Sequence, residues 1–111
     1  MTYNFAWQAN FSGGTWRNFD YVHRAWVATT VPLTELTPDT WHKIRVEGTR
    51  TDTTLTNTSI SIDGNTHTVN SQFAAANTGG ADKFTNAFQL DSDKNMDPYS
   101  VYVDSMKVEI Y

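Results

Sequence analysis

The sequence predicts an all-β protein folded as a two-sheet antiparallel β-sandwich. Three observations predict it. Apolar residues recur with period 2 in several segments, the pattern of a strand with one buried face. Clusters of Gly, Pro, Asp and Asn separate those segments at short intervals, as turns do. The composition agrees: aromatics make up 14% of the 111 residues, with four Trp. Thr and Asn are abundant, while Leu, Glu and Lys are thin. Thr and aromatics favour strands, and Asn, Asp and Gly favour turns. At this length a single sandwich domain over residues 1–111 is expected.

Each element has its own justification. Residues 2–11 place Tyr3, Phe5, Trp7, Ala9 and Phe11 on one face and predict a strand that ends at the turn Gly13-Gly14. Residues 19–30 read as the next strand, with Phe19, Tyr21, His23, Ala25 and Val27 on one face and Val22, Arg24, Trp26 and Ala28 on the other. Pro32 to Thr40 is a connection with a turn at Thr37-Pro38-Asp39. Trp41 to Glu47 predicts a strand with Ile44 and Val46 inward. Gly48 to Thr54 reads as a polar loop. Leu55 to Ile62 is a strand with Ile60 and Ile62 on its core face. Asp63-Gly64-Asn65 supplies a hairpin turn, and Thr66 to Val69 returns. Residues 70–83 read as a loop. Phe84 to Leu90, Tyr99 to Val103 and Met106 to Ile110 predict further strands around the acidic loop Asp91 to Pro98. Seven or eight strands with no helix of three turns suit a jelly roll.

Two stretches carry a resemblance. Thr40-Trp41-His42-Lys43-Ile44-Arg45-Val46, followed by Ile60-Ser61-Ile62-Asp63-Gly64, is similar to a segment of concanavalin-like and laminin-G-like jelly rolls. Val101-Tyr102-Val103-Asp104-Ser105-Met106-Lys107-Val108 resembles the last strand of many carbohydrate-binding modules of that superfamily. The resemblance covers about a third of the chain. It implies glycan binding on a sheet face or on loops at one edge. It also implies that Asp104 lies near a structural calcium.

Charge narrows the partners. Lys plus Arg is 8 and Asp plus Glu is 12, a net charge of −4. That argues against a nucleic-acid surface. No apolar run is long enough for a helical membrane span. The opening residues Met1-Thr2-Tyr3-Asn4 lack the basic and apolar regions of a signal peptide. Secretion is therefore expected only as one part of a longer protein, with an adjoining catalytic domain as one possible neighbour.

The candidate sites follow from residue chemistry. Asp91, Asp93, Asn95 and Asp97 place oxygen ligands at every second position, as calcium loops do, although Met96 stands where a helix-loop-helix calcium motif needs Gly. A solvated Asx turn is the competing reading. For sugar binding, Arg24 and Trp26 on one strand face would offer a flat ring beside fixed donors. Trp16, placed in a loop after Gly13-Gly14, Gln89 and Tyr102 would extend that platform. Trp26 in the core with Arg24 lying over it is the competing reading. Tyr21 and His23 on one face would suit a lyase acid–base pair, but no glucanase carboxylate pattern, nucleophile elbow or zinc spacing accompanies them.

The first reading is a non-catalytic carbohydrate-binding module for a plant or microbial polysaccharide or oligosaccharide of low charge, with structural calcium, working outside the cell. The second is a structural or protein-interaction sandwich of phage or cell-surface type. The third is a small polysaccharide lyase.

Overall fold

The computed structural model describes residues 1–80, 87–89 and 100–111. The chain divides into two compact units, Met1–Ala81 and Asp82–Tyr111. The first contains β1 (Trp7–Asn10), β2 (Thr15–Asp20), β3 (Ala25–Pro32), β4 (Ile44–Arg50), β5 (Thr54–Ile62) and β6 (Asn65–Ala74). These form two three-stranded antiparallel sheets, ordered β1-β2-β3 and β4-β5-β6. There is no helix among the described residues. Trp16, Val31 and Leu33 from the first half pack with Ile60 and Ile62 of β5 in one core. Trp7, Ala9, Leu36 and Val69 close around it. Two sheets that share such a core form a β-sandwich.

The first sheet departs from the expected strand boundaries. The alternation of residues 2–11 holds for Trp7 and Ala9, which face the core, but the ladder starts only at Trp7. Phe11 lies in the turn before β2 and is exposed. Gly14 closes that turn at φ 78, a left-handed conformation suited to glycine. Residues 19–30 are not one strand. Asp20 ends β2, and one oxygen of its carboxylate accepts the His23 N–H at 3.2 Å while the other meets the His23 ring at 2.7 Å. This side-chain cap stabilises a reversal at Tyr21–Arg24 without Gly or Pro.

The second sheet runs longer than expected. Gly48 to Arg50 continue β4, and Asn70 to Ala74 continue β6, where loops were expected. At Gly48 the Phe5 ring lies so close that an added Cβ would meet it at 2.5 Å. Asn57 and Ser59 pair with the adjacent Gly48 and Glu47 of β4, so β5 carries one extra residue, Thr58, at that point. Across that bulge the buried positions of β5 change from Leu55 and Asn57 to Ile60 and Ile62, because one extra residue reverses the alternation. The turn Asp63-Gly64 is as expected, with φ 51 and 86, the two positive values of a type I′ hairpin.

Ile44 and Val46 pair with Ile62 and Ile60 and so share their face. They are nonetheless 46% and 47% exposed, on the strand that forms the edge of this sheet among the described residues. Trp41 precedes β4 and is exposed rather than at the core edge.

In the second unit, residues 87–89 and 100–111 contain no strand. The expected strands at 99–103 and 106–110 are therefore absent among the described residues. Val101, Val103, Met106, Val108 and Ile110 are exposed. Alternation alone does not make a strand, which also needs a neighbour for its backbone groups. Phe84 and Leu90 lie outside the described residues. Six strands are thus described, against the seven or eight expected.

Candidate functional site

The first sheet turns two chemically different faces outward and inward. Along β2, Trp16 and Asn18 are buried. Arg17 and Phe19 therefore point the other way. Phe19 pairs with Trp26 across β2 and β3. Arg17 pairs with Gln8 on β1 and with Ala28 on β3. Cross-strand partners share a face, so Gln8, Arg17, Phe19 and Trp26 stand together on the outer side.

These side chains touch in sequence. The Gln8 side-chain oxygen Oε1 accepts the Arg17 Nε–H. The Arg17 guanidinium lies 5.4 Å from the centre of the Trp26 ring. Trp26 tilts against Phe19 at 5.0 Å between centroids, and Phe19 meets Tyr21 edge-on at 6.4 Å. The Arg24 guanidinium covers Tyr21 at 4.3 Å. The result is a strip of three aromatic rings with a guanidinium near each end. It ends at a cavity of about 400 Å³ lined by Tyr21, Arg24, Ala76, Asn77 and Thr78, among others. Arg24 holds its position there in a left-handed conformation, φ 55, which costs a non-glycine residue about 1–2 kcal/mol.

The expected site residues separate on this map. Trp26 is 37% exposed and belongs to the strip. Arg24 reaches it through Tyr21 rather than as a neighbour of Trp26 on one strand, because it sits in the turn. Trp16 is not in a loop. It lies in β2, 7% exposed, in the core. Its ring offers no open face for stacking. Gln89 and Tyr102 belong to the second unit, where both are exposed. Gln8, Arg17 and Phe19 were missed. A register-matched reading of Arg17 against Trp26 needs the turn at residues 21–24, which no Gly or Pro marks.

The lyase pair is not arranged as expected. Tyr21 and His23 lie in the turn, not on one strand face, and the His23 ring is held by Asp20. The other two histidines are also tied. His67 meets the Glu35 carboxylate, whose other oxygen accepts from Asn65 at 3.0 Å. The hydrogen bonds from Asn65 and then His67 lower the Glu35 pKa below its ordinary value. His42 sits between two acceptors. Its Nδ1 is 2.6 Å from Asp63 Oδ2 and its Nε2 is 2.9 Å from the Thr37 carbonyl oxygen. The Thr37 hydroxyl also lies 3.2 Å from Nε2, and two acceptors facing the ring favour its protonated form. The Asp63 carboxylate, followed by the Thr37 carbonyl, raises the His42 pKa above its ordinary value.

The calcium expectation falls mostly on residues the structure does not describe: Asp91, Asp93, Asn95 and Asp97 all lie outside it. Asp104 is described and exposed. Among the described residues no group of three His, Asp or Glu side chains is arranged to hold a metal ion. No known family, curated protein or solved structure matches the chain.

Proposed function

We propose that the chain is a non-catalytic carbohydrate-binding module, with the outer face of β1-β2-β3 as its binding surface. The observation that carries this reading is the continuous strip Arg17, Trp26, Phe19, Tyr21 and Arg24, which stands apart from the hydrophobic core. Ring faces accept the apolar C–H faces of sugars, and guanidinium groups donate to their hydroxyls. The cavity at the Arg24 end would receive one sugar residue, with Asn77 and Thr78 as further polar partners. A jelly-roll affiliation, a structural calcium held by Asp91, Asp93, Asn95, Asp97 and Asp104, and action outside the cell within a longer protein belong to the same reading. They rest on the sequence.

The deciding experiment is a glycan array followed by titration of the best binder against Trp26→Ala. One stacked ring contributes about 1–3 kcal/mol of apolar burial, so affinity falls about tenfold or more. A weakly charged glycan also keeps its affinity as salt rises. Retained affinity in the folded variant would remove the strip from the binding surface.

A second reading, a protein-interaction sandwich, has one observation in its favour. Ile44 and Val46 leave the edge of the second sheet apolar and half-exposed. Edge strands of that kind add partner strands. An array with no sugar bound, together with a protein captured through β4, would favour this reading.

A further inference from the structure

The outer face of the other sheet carries a separate polar pocket. Arg45, Ser61 and Thr66 stand in one row across β4, β5 and β6. Lys43 precedes Arg45 by two residues, and Gly64 of the hairpin turn leaves the end of the row open. These five residues line a cavity of about 270 Å³. Its walls carry two cations and two hydroxyls and no carboxylate. The Ser61 and Thr66 hydroxyls are 2.7 Å apart, so one donates to the other and the second keeps a proton to give.

The side chains that line the pocket favour an anion. Asp63 is the acid next to Gly64, but its carboxylate is already engaged. Oδ1 accepts the Lys43 N–H at 2.9 Å, and Oδ2 meets the His42 ring at Nδ1 at 2.6 Å. Glu47 pairs with Arg45 at 2.7 Å. Lys43 and Arg45 are thus balanced by Asp63 and Glu47 around the pocket, but its lining holds only the two cations, and among the described residues no carboxylate pairs with the Lys43 ammonium. Arg45 presents a planar fork and Lys43 a mobile ammonium, the two geometries proteins use together on oxyanions.

We propose that the pocket of Lys43, Arg45, Ser61, Gly64 and Thr66 binds a tetrahedral oxyanion, either a free sulfate or phosphate or the same group esterified to a saccharide. This site lies on a different sheet from the aromatic strip and stands or falls independently of it.

The test titrates the full chain with sodium sulfate, sodium phosphate, a sulfated disaccharide and its unsulfated parent. Sodium chloride keeps the ionic strength constant, and amide chemical shifts report the binding. Saturable shifts at residues 43–47 and 61–66 are expected with the anions and not with the unsulfated parent. Lys43→Gln and Arg45→Gln should each weaken binding about tenfold or more, since each removes a charged donor. Trp26→Ala should leave it unchanged. Binding of the free ions assigns the site to inorganic anions, and binding of the ester alone assigns it to a substituted glycan. Absence of saturable shifts with every anion overturns the proposal. So does binding that both Gln variants retain. Equal binding of the unsulfated parent, or loss of binding in Trp26→Ala with retention in Arg45→Gln, also overturns it.

Discussion

Trp16 and Trp26 lie ten residues apart and meet opposite fates. Trp16 is buried among Val31, Leu33, Ile60 and Ile62, and its truncation should cost about 3–5 kcal/mol. Trp26 loses one aromatic neighbour and one guanidinium on truncation. Those contacts contribute about 0.5–1.5 and 0.5–1 kcal/mol, so Trp26→Ala should cost less than Trp16→Ala, about 1–2.5 kcal/mol. Denaturant unfolding of both variants checks the order, and a Trp26→Ala cost equal to that of Trp16→Ala would place Trp26 in the core. Arg24→Gly is the more discriminating change. It relieves a left-handed residue by about 1–2 kcal/mol, while glycine's chain entropy and the lost ring contact take back a similar amount. Stability should stay within about 1 kcal/mol of the parent while sugar affinity falls. His42 gives the pH signature. Its pKa is raised in the fold, so its contribution is complete below the ordinary value of about 6.5 and disappears as pH rises through the folded value. The Asp63 pKa is lowered, first by the His42 bond and then by the Lys43 N–H. Its contribution is complete above the ordinary value and disappears as pH falls through the lowered one. The pair is therefore strongest between about pH 4 and 6.5. Melting temperature should fall from pH 6 to pH 9 by more in the parent than in His42→Gln. Parallel curves would show that the ring carries no charge.

At the scale of elements, β5 is the strand on which the second sheet depends. It is central, paired on both edges, and buries Leu55, Asn57, Ile60 and Ile62. Ile60→Ala should cost about 2–5 kcal/mol, as buried Ile truncations do. Ile44→Ala on edge strand β4 should cost much less, since about half of that side chain already meets water. Equal costs in urea unfolding would show that a further element covers β4 in solution. The hairpin of β5 and β6 was readable in advance because Asp63-Gly64 needs two positive φ values that few other pairs adopt. Gly64→Ala should therefore destabilise by about 1 kcal/mol despite the open space around it. The β2–β3 reversal was not readable. Nothing in Tyr21-Val22-His23-Arg24 breaks a strand by propensity, and the reversal depends on the Asp20 carboxylate finding the His23 N–H. The ends of β4 and β6 were missed for a related reason. Thr49, Ser71 and Gln72 are polar, and they join the ladder because β5 runs alongside with free backbone groups.

At the scale of the molecule, the calcium reading predicts a higher melting temperature with calcium than with chelator, through binding to the folded state alone. Asp93→Ala should abolish the difference, and identical parent curves in the two buffers would end the reading. The sequence by itself determined the all-β class, the hairpin turn at Asp63-Gly64 and the inward row Ile60 and Ile62. Each of these follows from local chemistry: period-2 apolarity, the φ preference of Asp-Gly, and the high strand propensity of isoleucine. Tertiary structure alone decided which tryptophan is core and which is surface. A strand of mixed polarity has no intrinsic inside, and its orientation is set by the sheet that packs against it. Tertiary structure also decided the composition of the candidate site. Arg17, Phe19 and Trp26 meet only because a side-chain cap folds β3 back on β2. Lys43, Arg45, Ser61 and Thr66 gather only because three strands lie in one register. Side chains brought together by strand pairing leave no mark on local sequence, because the backbone hydrogen bonds that align them are the same for almost any residues.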